Sequence, residues 1–350
     1  MPDMEGIVSS MTLEQKVGQL LMVNLPLLET SLAEFHCGSL LVWGETPEIS
    51  TPRDLCALAN RAQELSMKHR GLPLWLHGWT NGLGWNPDWL ARASTRISLA
   101  ETERTAETFG RRWRAVGLHN LPEPCLNVPL FETCIMRQWL VAKDPDTVTR
   151  LGAALTRGVT AARCGTMAQH FPAHGATPVD SHTGFPVVEL SREELMRDHI
   201  RPYQECFKAG CKTICTAHLA CPALDPDPSH VATTSRAILT DFLRGELGFQ
   251  GLVIADAIGM RGFQKNGPPE LVCVDAVNAG CDCICITQVD LQFVGTVFNT
   301  LLAAAKVGTI PEERLDDAAL RHLRFMEWLG LFEETHVSPE QAEELLRETM

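Results

Sequence analysis

Residues 251–256 read Gly-Leu-Val-Ile-Ala-Asp, an apolar run that follows a glycine and ends in a single carboxylate. The run is short, contains β-branched residues and is apolar at every position, which is typical of a strand covered on both faces. Such strands occur in parallel sheets, where helices connect one strand to the next. This stretch therefore predicts a βα architecture, with Asp256 at the point where a strand ends.

The same alternation of a short apolar run and a longer amphipathic stretch recurs along the chain. Eight runs predict strands, at 19–23, 38–43, 73–77, 121–128, 166–170, 213–218, 252–256 and 282–287. Helical patterns occupy 52–68, 98–115, 145–164, 192–208, 235–247, 270–279, 291–305, 312–329 and 339–348. No low-complexity linker divides the sequence, so the pattern predicts a single (β/α)8 TIM barrel. We expect residues 1–330 to form the barrel domain and residues 331–350 to form a helical extension packed on it.

Charge and composition restrict the class of partner. The net charge is −13 and no basic cluster is available to neutralise phosphates, which argues against a nucleic-acid partner. Neither a long apolar segment nor a basic leader followed by an apolar run occurs, so we expect a cytoplasmic protein with no membrane partner. Thirteen cysteines without a Cys-x-x-Cys pair favour reduced thiols. Cys281, Cys283 and Cys285 alternate, which predicts that they share one face of a strand.

A loop after the predicted fifth strand is dense in histidine. Residues 169–182 read Gln-His-Phe-Pro-Ala-His-Gly-Ala-Thr-Pro-Val-Asp-Ser-His. Asp180 and His182 stand two residues apart, so in extended backbone the carboxylate could hold one ring nitrogen while the other exchanges protons. The pattern also fits an aspartate that caps the loop beside a solvated histidine. A zinc site at His170 and His174 is a third reading, which the intervening proline disfavours.

Polar residues stand at or beside the ends of several predicted strands. These residues are His77, Asn127, His170, His218 and Asp256. Because the carboxyl ends of barrel strands meet at one face, the five residues predict a shared polar cavity. Asp256 could there cap the next helix, bind a cation or attack an electrophile, and its position at a strand end favours catalysis.

Two of these stretches resemble signatures of glycoside hydrolase family three. Residues 169–182 resemble the Lys-His-Phe-Pro-Gly-His-Gly-Asp-Thr-x-x-Asp-Ser-His motif of the bacterial β-N-acetylglucosaminidase (β-hexosaminidase) branch. Residues 253–260 resemble the strand that carries the nucleophile in that branch. Further matches extend the resemblance over most of the chain, at 11–22, 216–218, 235–251 and 279–282.

The resemblance implies a retaining glycosidase that removes a terminal β-linked N-acetylhexosamine-like sugar, with a role in cell wall turnover. It assigns Asp256 as the nucleophile that forms a glycosyl-aspartate. His182, oriented by Asp180, is then the acid/base in place of the usual second carboxyl group. We expect a small carbohydrate as the substrate, no cofactor, no metal, and a monomer or weak dimer.

The substrate-binding residues match the family only in part. We expect sugar contacts from Trp79, Asn127, Arg137, Gln169, His170, His174 and His218. His170 and His174 match the family, and Arg137 resembles its sugar-binding arginine. Residues 79–83, however, read Trp-Thr-Asn-Gly-Leu in place of Asp-x-Glu-Gly-Gly. Asn127 and Gln169 stand where the family has Asp and Lys.

These replacements predict a divergent sugar pocket, because charge-assisted hydrogen bonds to the ordinary glycon are lost. Trp79 either stacks on a sugar ring or fills core space. Two rival functions share the fold. One is a non-catalytic sugar-binding protein. The other is a glycoside phosphorylase that uses the same residues with phosphate in place of water, since a histidine repels an incoming anion less than a carboxylate does.

Overall fold

A computed structural model describes residues 2–43, 49–79 and 98–347 of the chain. Eight parallel strands close into a barrel in chain order, and the eighth strand pairs with the first. The strands are β1 Leu21–Asn24, β2 Ser39–Trp43, β3 Trp75–Trp79, β4 Asn120–Leu121, β5 Gly165–Phe171, β6 Thr213–Thr216, β7 Leu252–Ala255 and β8 Cys283–Ile286. The predicted (β/α)8 barrel is therefore confirmed.

Helices surround the strands. They are α1 Met4–Ser10, α2 Leu13–Gln19, α3 Leu28–Phe35, α4 Pro52–Arg70, α5 Leu99–Ala115, α6 Pro145–Ala161, α7 over 192–208, α8 Ala237–Glu246, α9 Pro269–Ala279, α10 Leu291–Lys306, α11 Glu312–Trp328 and α12 Pro339–Arg347. A π-helical stretch, Leu195–Ile200, interrupts α7, and α8 is π-helical throughout. The apolar periodicity predicts both as helices but does not reveal their wider turns.

Capping residues set where several helices begin. The Thr51 hydroxyl accepts a hydrogen bond from the Asp54 amide at 3.2 Å, and the Asp54 carboxylate accepts one from the Thr51 amide at 2.8 Å. Asp144 caps α6 by accepting from the Thr147 amide at 2.8 Å. Each cap precedes a proline in the first helical turn, where a missing amide hydrogen costs nothing.

The fourth strand is much shorter than the predicted run 121–128. Only Asn120–Leu121 pairs as a strand, followed by one isolated bridge between Cys125 and Gln169. Prolines at 122 and 124 have no amide hydrogen to donate to the sheet, which explains the early end. The Leu126 amide still donates to the Gln169 carbonyl at 2.7 Å, so the segment stays beside β5.

The core has two layers, as expected for strands covered on both faces. One layer fills the barrel interior and includes Met22, Trp75 and Cys283; the other lies between the strands and the helices. All thirteen cysteines are free. Cys283 and Cys285 face the interior, but Cys281 packs in the outer layer, so the prediction of one shared face was wrong for Cys281. The strand begins at Cys283, and its alternation therefore does not extend back to Cys281.

The C-terminal helix α12 packs against α4. Arg53 donates to Glu340 and Glu343 at 3.0 Å each, and the Val337 amide donates to Asn60 at 2.8 Å. The division into residues 1–330 and 331–350 stays a prediction. Within the described ranges, every helix is too short or too polar to cross a lipid bilayer.

Candidate active site

A cavity of about 440 Å³ opens where the barrel strands end. Its polar lining includes His77, Gln169, His170, His174, Ser181, His182, Asp256 and Gln288. Its apolar lining includes Met22, Leu41, Met136, Trp139, Met167, Ile254 and Met260. The cavity thus contains three of the five strand-end residues, His77, His170 and Asp256, whereas Asn127 and His218 lie behind its wall.

Asp256 follows β7 directly and has few partners. Its Oδ1 accepts a hydrogen bond from the Ala257 amide at 2.7 Å, and its Oδ2 lies 3.8 Å from Nε2 of His170. The side chain is 18% exposed, and no Lys or Arg in the described ranges pairs with it. One carboxylate oxygen therefore faces the cavity without a strong donor, which leaves its lone pairs available for chemistry.

His170 stands beside Asp256 as a neutral ring. The Asn127 side chain accepts from the Gly175 amide at 3.1 Å, which turns its amide nitrogen toward Nδ1 of His170 at 3.2 Å. Because that amide nitrogen donates, Nδ1 accepts, and the proton of the neutral ring lies on Nε2, toward Asp256. Burial, with a smaller contribution from His182, lowers the pKa of His170 to about 4.

His182 and Asp180 form the predicted pair. Nδ1 of His182 lies 2.7 Å from Oδ1 of Asp180, and the same oxygen accepts from the His182 amide at 2.9 Å. Burial raises the pKa of Asp180, but the hydrogen bonds and positive charge of His182 outweigh burial and leave that pKa below its usual range. Nδ1 is thus occupied by the carboxylate, and Nε2 is the nitrogen available for proton exchange.

Two loops carry the site and are hydrogen-bonded to each other. We define them as the β5 loop, residues 172–190, and the β7 loop, residues 256–262. The Gly262 amide donates to the Ser181 carbonyl at 2.8 Å, and the Arg261 amide donates to the His182 carbonyl at 3.2 Å. A Cβ on Gly262 would lie 2.6 Å from the His218 carbonyl oxygen and 3.2 Å from the Ser181 carbonyl oxygen, so only glycine lets the β7 loop lie this close to both.

Ser181 and Gln288 line the cavity but were not among the predicted site residues. Ser181 lies 2.8 Å from Nε2 of His174, and its hydroxyl also contacts the sulfur of Met260 at 3.8 Å. Nδ1 of His174 and Oε1 of Gln288 are buried, and neither has a hydrogen-bond partner among the described residues. Gln288 follows β8, so its position after a barrel strand was the one available indication of a site residue.

Four expected sugar-binding residues are engaged with the protein. The Gln169 amide donates to the Pro122 carbonyl at 2.7 Å, and Asn127 bonds to His170 and the backbone. Arg137 pairs with Glu132 at 2.9 Å and does not line the cavity. His218 is fully buried, and its Nε2 lies 3.3 Å from the Ala257 carbonyl, so it supports the backbone next to Asp256.

Trp79 ends β3, but its side chain lies outside the described part of the structure, as does all of Asn81. The prediction that Trp79 stacks on a sugar therefore stays a prediction. His77, two residues earlier on the same strand, is buried, and its Nδ1 lies 3.2 Å from the amide nitrogen of Asn120.

One group of described residues has metal-ligand chemistry. A ring nitrogen of His170, the sulfur of Cys215 and a carboxylate oxygen of Asp256 lie within 4.8 Å of one another. A metal at this group would need the lone pair of His170 Nε2, since Nδ1 faces Asn127. The donating Asn127 amide instead keeps the proton on Nε2, whereas metal-bound histidines usually donate from their second nitrogen. The hydrogen bonding around His170 therefore opposes a metal here.

Comparisons with known proteins agree on one family. Residues 12–325 match the family described as "Glycosyl hydrolase family 3 N terminal domain". A β-hexosaminidase A of Pseudoalteromonas piscicida is 29% identical over 244 residues, which are 62% of this chain and 39% of that protein. The chain spans less than half the length of the first curated relatives it matches, at 39%, 44% and 48%.

Solved structures agree on the architecture. A family 3 β-N-acetylglucosaminidase from Paenibacillus sp. str. FPU-7 is 27% identical, with a TM-score of 0.83 over 97% of this chain and 68% of that chain. A β-glucoside phosphorylase bound to 2FGlc is 22% identical, with a TM-score of 0.85 over 98% of this chain and 63% of that chain. The second likeness shows a shared fold only.

Proposed function

Because this chain belongs to glycosyl hydrolase family 3, we propose that it is a retaining glycosidase that removes a terminal β-linked N-acetylhexosamine-like sugar. The observation that carries the proposal is one cavity that holds both a carboxylate and a proton shuttle. The carboxylate is Asp256, at the end of β7, and the shuttle is the His182–Asp180 pair at 2.7 Å. The resemblance of both motifs to the β-N-acetylglucosaminidase branch supports the choice of sugar.

In the first step, Oδ2 of Asp256 attacks the anomeric carbon, and the bond to the leaving oxygen breaks. Protonated His182 donates its Nε2 proton to that oxygen, while Asp180 stabilises the imidazolium through Nδ1. The product is a glycosyl ester of Asp256. Oδ1 already accepts from the Ala257 amide, so Oδ2 is the oxygen left free to attack.

In the second step, water attacks the anomeric carbon of the ester. The now neutral His182 takes the proton of that water on Nε2, and the carbon–oxygen bond to Asp256 breaks. Two inversions at one carbon give net retention of configuration. The Nε2 hydrogen of His170, on the Asp256 side of its ring, is suited to bind a sugar hydroxyl or to steady the carboxylate.

The contacts in the altered pocket support the expectation that a plain N-acetylglucosaminide binds weakly. Gln169 and Asn127, which replace charged residues of the family, are hydrogen-bonded to the protein, and Arg137 is paired with Glu132. A lost charge-assisted contact removes about 1.5 to 3 kcal/mol, so two losses lower affinity by about two to four orders of magnitude. The methionines and aliphatic residues of the cavity favour a glycon with fewer hydroxyls on that side.

Covalent trapping tests the mechanism. A slow fluorinated glycoside should label the peptide that contains Asp256, as detected by mass spectrometry, and Asp256→Asn should prevent labelling. Asp290→Asn is the matched control, because Asp290 follows the neighbouring strand and caps α10, a role that asparagine also fills. Labelling that persists in Asp256→Asn, or that maps elsewhere, would contradict the assignment.

A glycoside panel at subsaturating concentration tests the substrate, with and without inorganic phosphate. Free sugar as the product supports hydrolysis, and a sugar 1-phosphate formed only with phosphate would show phosphorolysis. An N-acetylglucosaminide of ordinary affinity as the best substrate would contradict the divergent pocket. If no glycoside is cleaved and no ester is trapped, the non-catalytic alternative replaces the proposal.

A further inference from the structure

A second cavity lies at the opposite, amino-terminal end of the barrel. It encloses about 640 Å³ between α1, the end of α4 and residues 331–335. Its walls mix apolar side chains, such as Met11, Met67 and Leu72, with polar ones, such as Gln15 and Gln19. Arg70, the last residue of α4, also lies in the wall. The cavity thus combines apolar side chains, polar side chains and the cation of Arg70.

Arg70 is a buried cation, and the described residues supply no counter-charge for it. The residue is 7% exposed, and its Nη1 donates to the Ser66 hydroxyl at 2.9 Å and to the Pro73 carbonyl at 3.3 Å. Its Nε and Nη2 are buried without partners, and no carboxylate in the described ranges forms an ion pair with it. Burial lowers the pKa of Arg70 to about 10, so the side chain stays charged at neutral pH. An uncompensated buried charge is unfavourable unless an anion reaches it.

The two unpartnered nitrogens form one edge of the guanidinium group. Nε–H and Nη2–H point in the same direction, and their spacing matches the two oxygens of a carboxylate. Oε1 of Gln19, a residue that is 1% exposed and lines the same cavity, also has no partner in the part of the chain that the structure describes. The wall therefore offers a two-donor edge and one acceptor.

The charges at the cavity mouth restrict the anion. Glu333 and Glu334 line the same cavity and are exposed. Their carboxylates disfavour a doubly charged phosphate more than a singly charged carboxylate. The apolar part of the wall, with Met11, Met67 and Leu72, fits a ligand with a hydrocarbon body, which an inorganic anion lacks.

We propose that this cavity binds a small amphipathic monocarboxylate, whose carboxylate pairs with the Nε–Nη2 edge of Arg70 and whose apolar body contacts the walls. Nε and Nη2 are shielded from solvent, so binding requires a side-chain movement in the wall. The site is separate from Asp256 and does not depend on the proposed glycosidase function.

Calorimetric titration of the full chain with sodium octanoate tests the proposal, with 1-octanol, sodium chloride and inorganic phosphate as comparison ligands. We expect octanoate to bind and to raise the thermal midpoint, and Arg70→Gln to weaken octanoate binding by about tenfold or more. Arg61→Gln is the matched control, because Arg61 lies on the same helix and pairs with Glu29 at the surface. If Arg70→Gln does not fold, Met67→Trp narrows the cavity and should weaken octanoate binding instead.

Binding that is lost in Arg70→Gln or Met67→Trp but kept in Arg61→Gln supports the site. The proposal is overturned if octanoate does not bind, or if 1-octanol binds as tightly as octanoate. It is also overturned if the cavity variants bind octanoate like the wild type, or if chloride or phosphate stabilises the protein as much as octanoate does.

Discussion

Two aspartates at opposite ends of neighbouring strands have contrasting surroundings. Asp282 precedes β8, is fully buried and accepts from Arg244 at 2.6 Å, from Arg314 at 2.7 Å and from the Val253 amide at 2.8 Å. Asp256 follows β7 and accepts one hydrogen bond from its own neighbour. The amino-terminal end of the barrel thus satisfies its carboxylate, whereas the carboxyl-terminal end leaves one incompletely bonded. In this fold, residues at the amino-terminal end of the strands usually serve stability and residues at the carboxyl-terminal end usually serve chemistry, and the two aspartates differ in that way.

Asp256→Ala should produce the largest effect on turnover. We expect kcat to fall by about three orders of magnitude or more, because no described side chain replaces the nucleophile. Thermal stability should change little, since the carboxylate has one hydrogen bond to lose. Azide should restore part of the activity on an activated glycoside. Near-native turnover by this variant would end the assignment of Asp256.

Asp282→Ala should produce the largest effect on stability. It leaves Arg244 and Arg314 beside an empty buried position, and we expect a loss of about 3 to 5 kcal/mol in the free energy of unfolding. Asp317→Ala is the control, because Asp317 pairs with Arg314 at 3.0 Å but is 45% exposed, and its loss should cost about 1 kcal/mol or less. If urea unfolding gave the same loss of stability for Asp282→Ala and Asp317→Ala, burial of Asp282 would not be the cause of the effect.

His182→Ala should separate substrates by leaving group. We expect a loss of about a hundredfold or more on alkyl glycosides and a much smaller loss on activated aryl glycosides, which need no protonation. Asp180→Asn should reproduce part of the pattern. His230→Ala is the control, because it removes a similar pair with Asp225, at 2.8 Å, from outside the cavity. The same loss on both substrate classes would remove His182 from the acid role.

Acid should destabilise the folded barrel through its buried histidines before it protonates Asp282. Burial lowers the pKa of His170, His174 and His218 to about 4. As the pH falls below 6.5, these histidines therefore bind protons in the unfolded chain but stay neutral in the folded chain. The free energy of unfolding should therefore fall as the pH drops from 6.5 toward about 4, with up to about 2 kcal/mol per histidine lost between pH 6.5 and pH 5. Burial raises the pKa of Asp282, but Arg244, Arg314 and Arg321 outweigh burial and lower it overall, so its contribution is lost only below about pH 4.

Urea midpoints at pH 7 and pH 5 check this expectation. The midpoint should be lower at pH 5, and His218→Asn should reduce the difference between the two values. A midpoint that does not change between pH 7 and pH 5 would show that these histidines are already free to protonate in the folded state.

The barrel and the contact between Asp180 and His182 were predictable because both depend on local pattern. Apolar runs at 252–256 and 282–287 are continuous, and the Asp180–His182 spacing is short enough to fix a contact. The orientation of Gln169 and Arg137 was not predictable, since each is set by a partner distant in sequence or by loop geometry. The early end of β4 could have been predicted from the two prolines at 122 and 124, but the apolar character of residues 121–128 outweighed them.

The backbone hydrogen bonds between the β5 and β7 loops limit how these loops can be exchanged for those of a relative. His182 lies on one loop and Asp256 on the other, yet the Arg261 and Gly262 amides join the two segments directly. A β5 loop taken alone from a relative must offer carbonyls at the same two points, or two amides of the β7 loop lose their acceptors. The two loops should therefore be exchanged together. A chimera that replaces both loops should retain the geometry of the site, whereas a chimera that replaces only one should not.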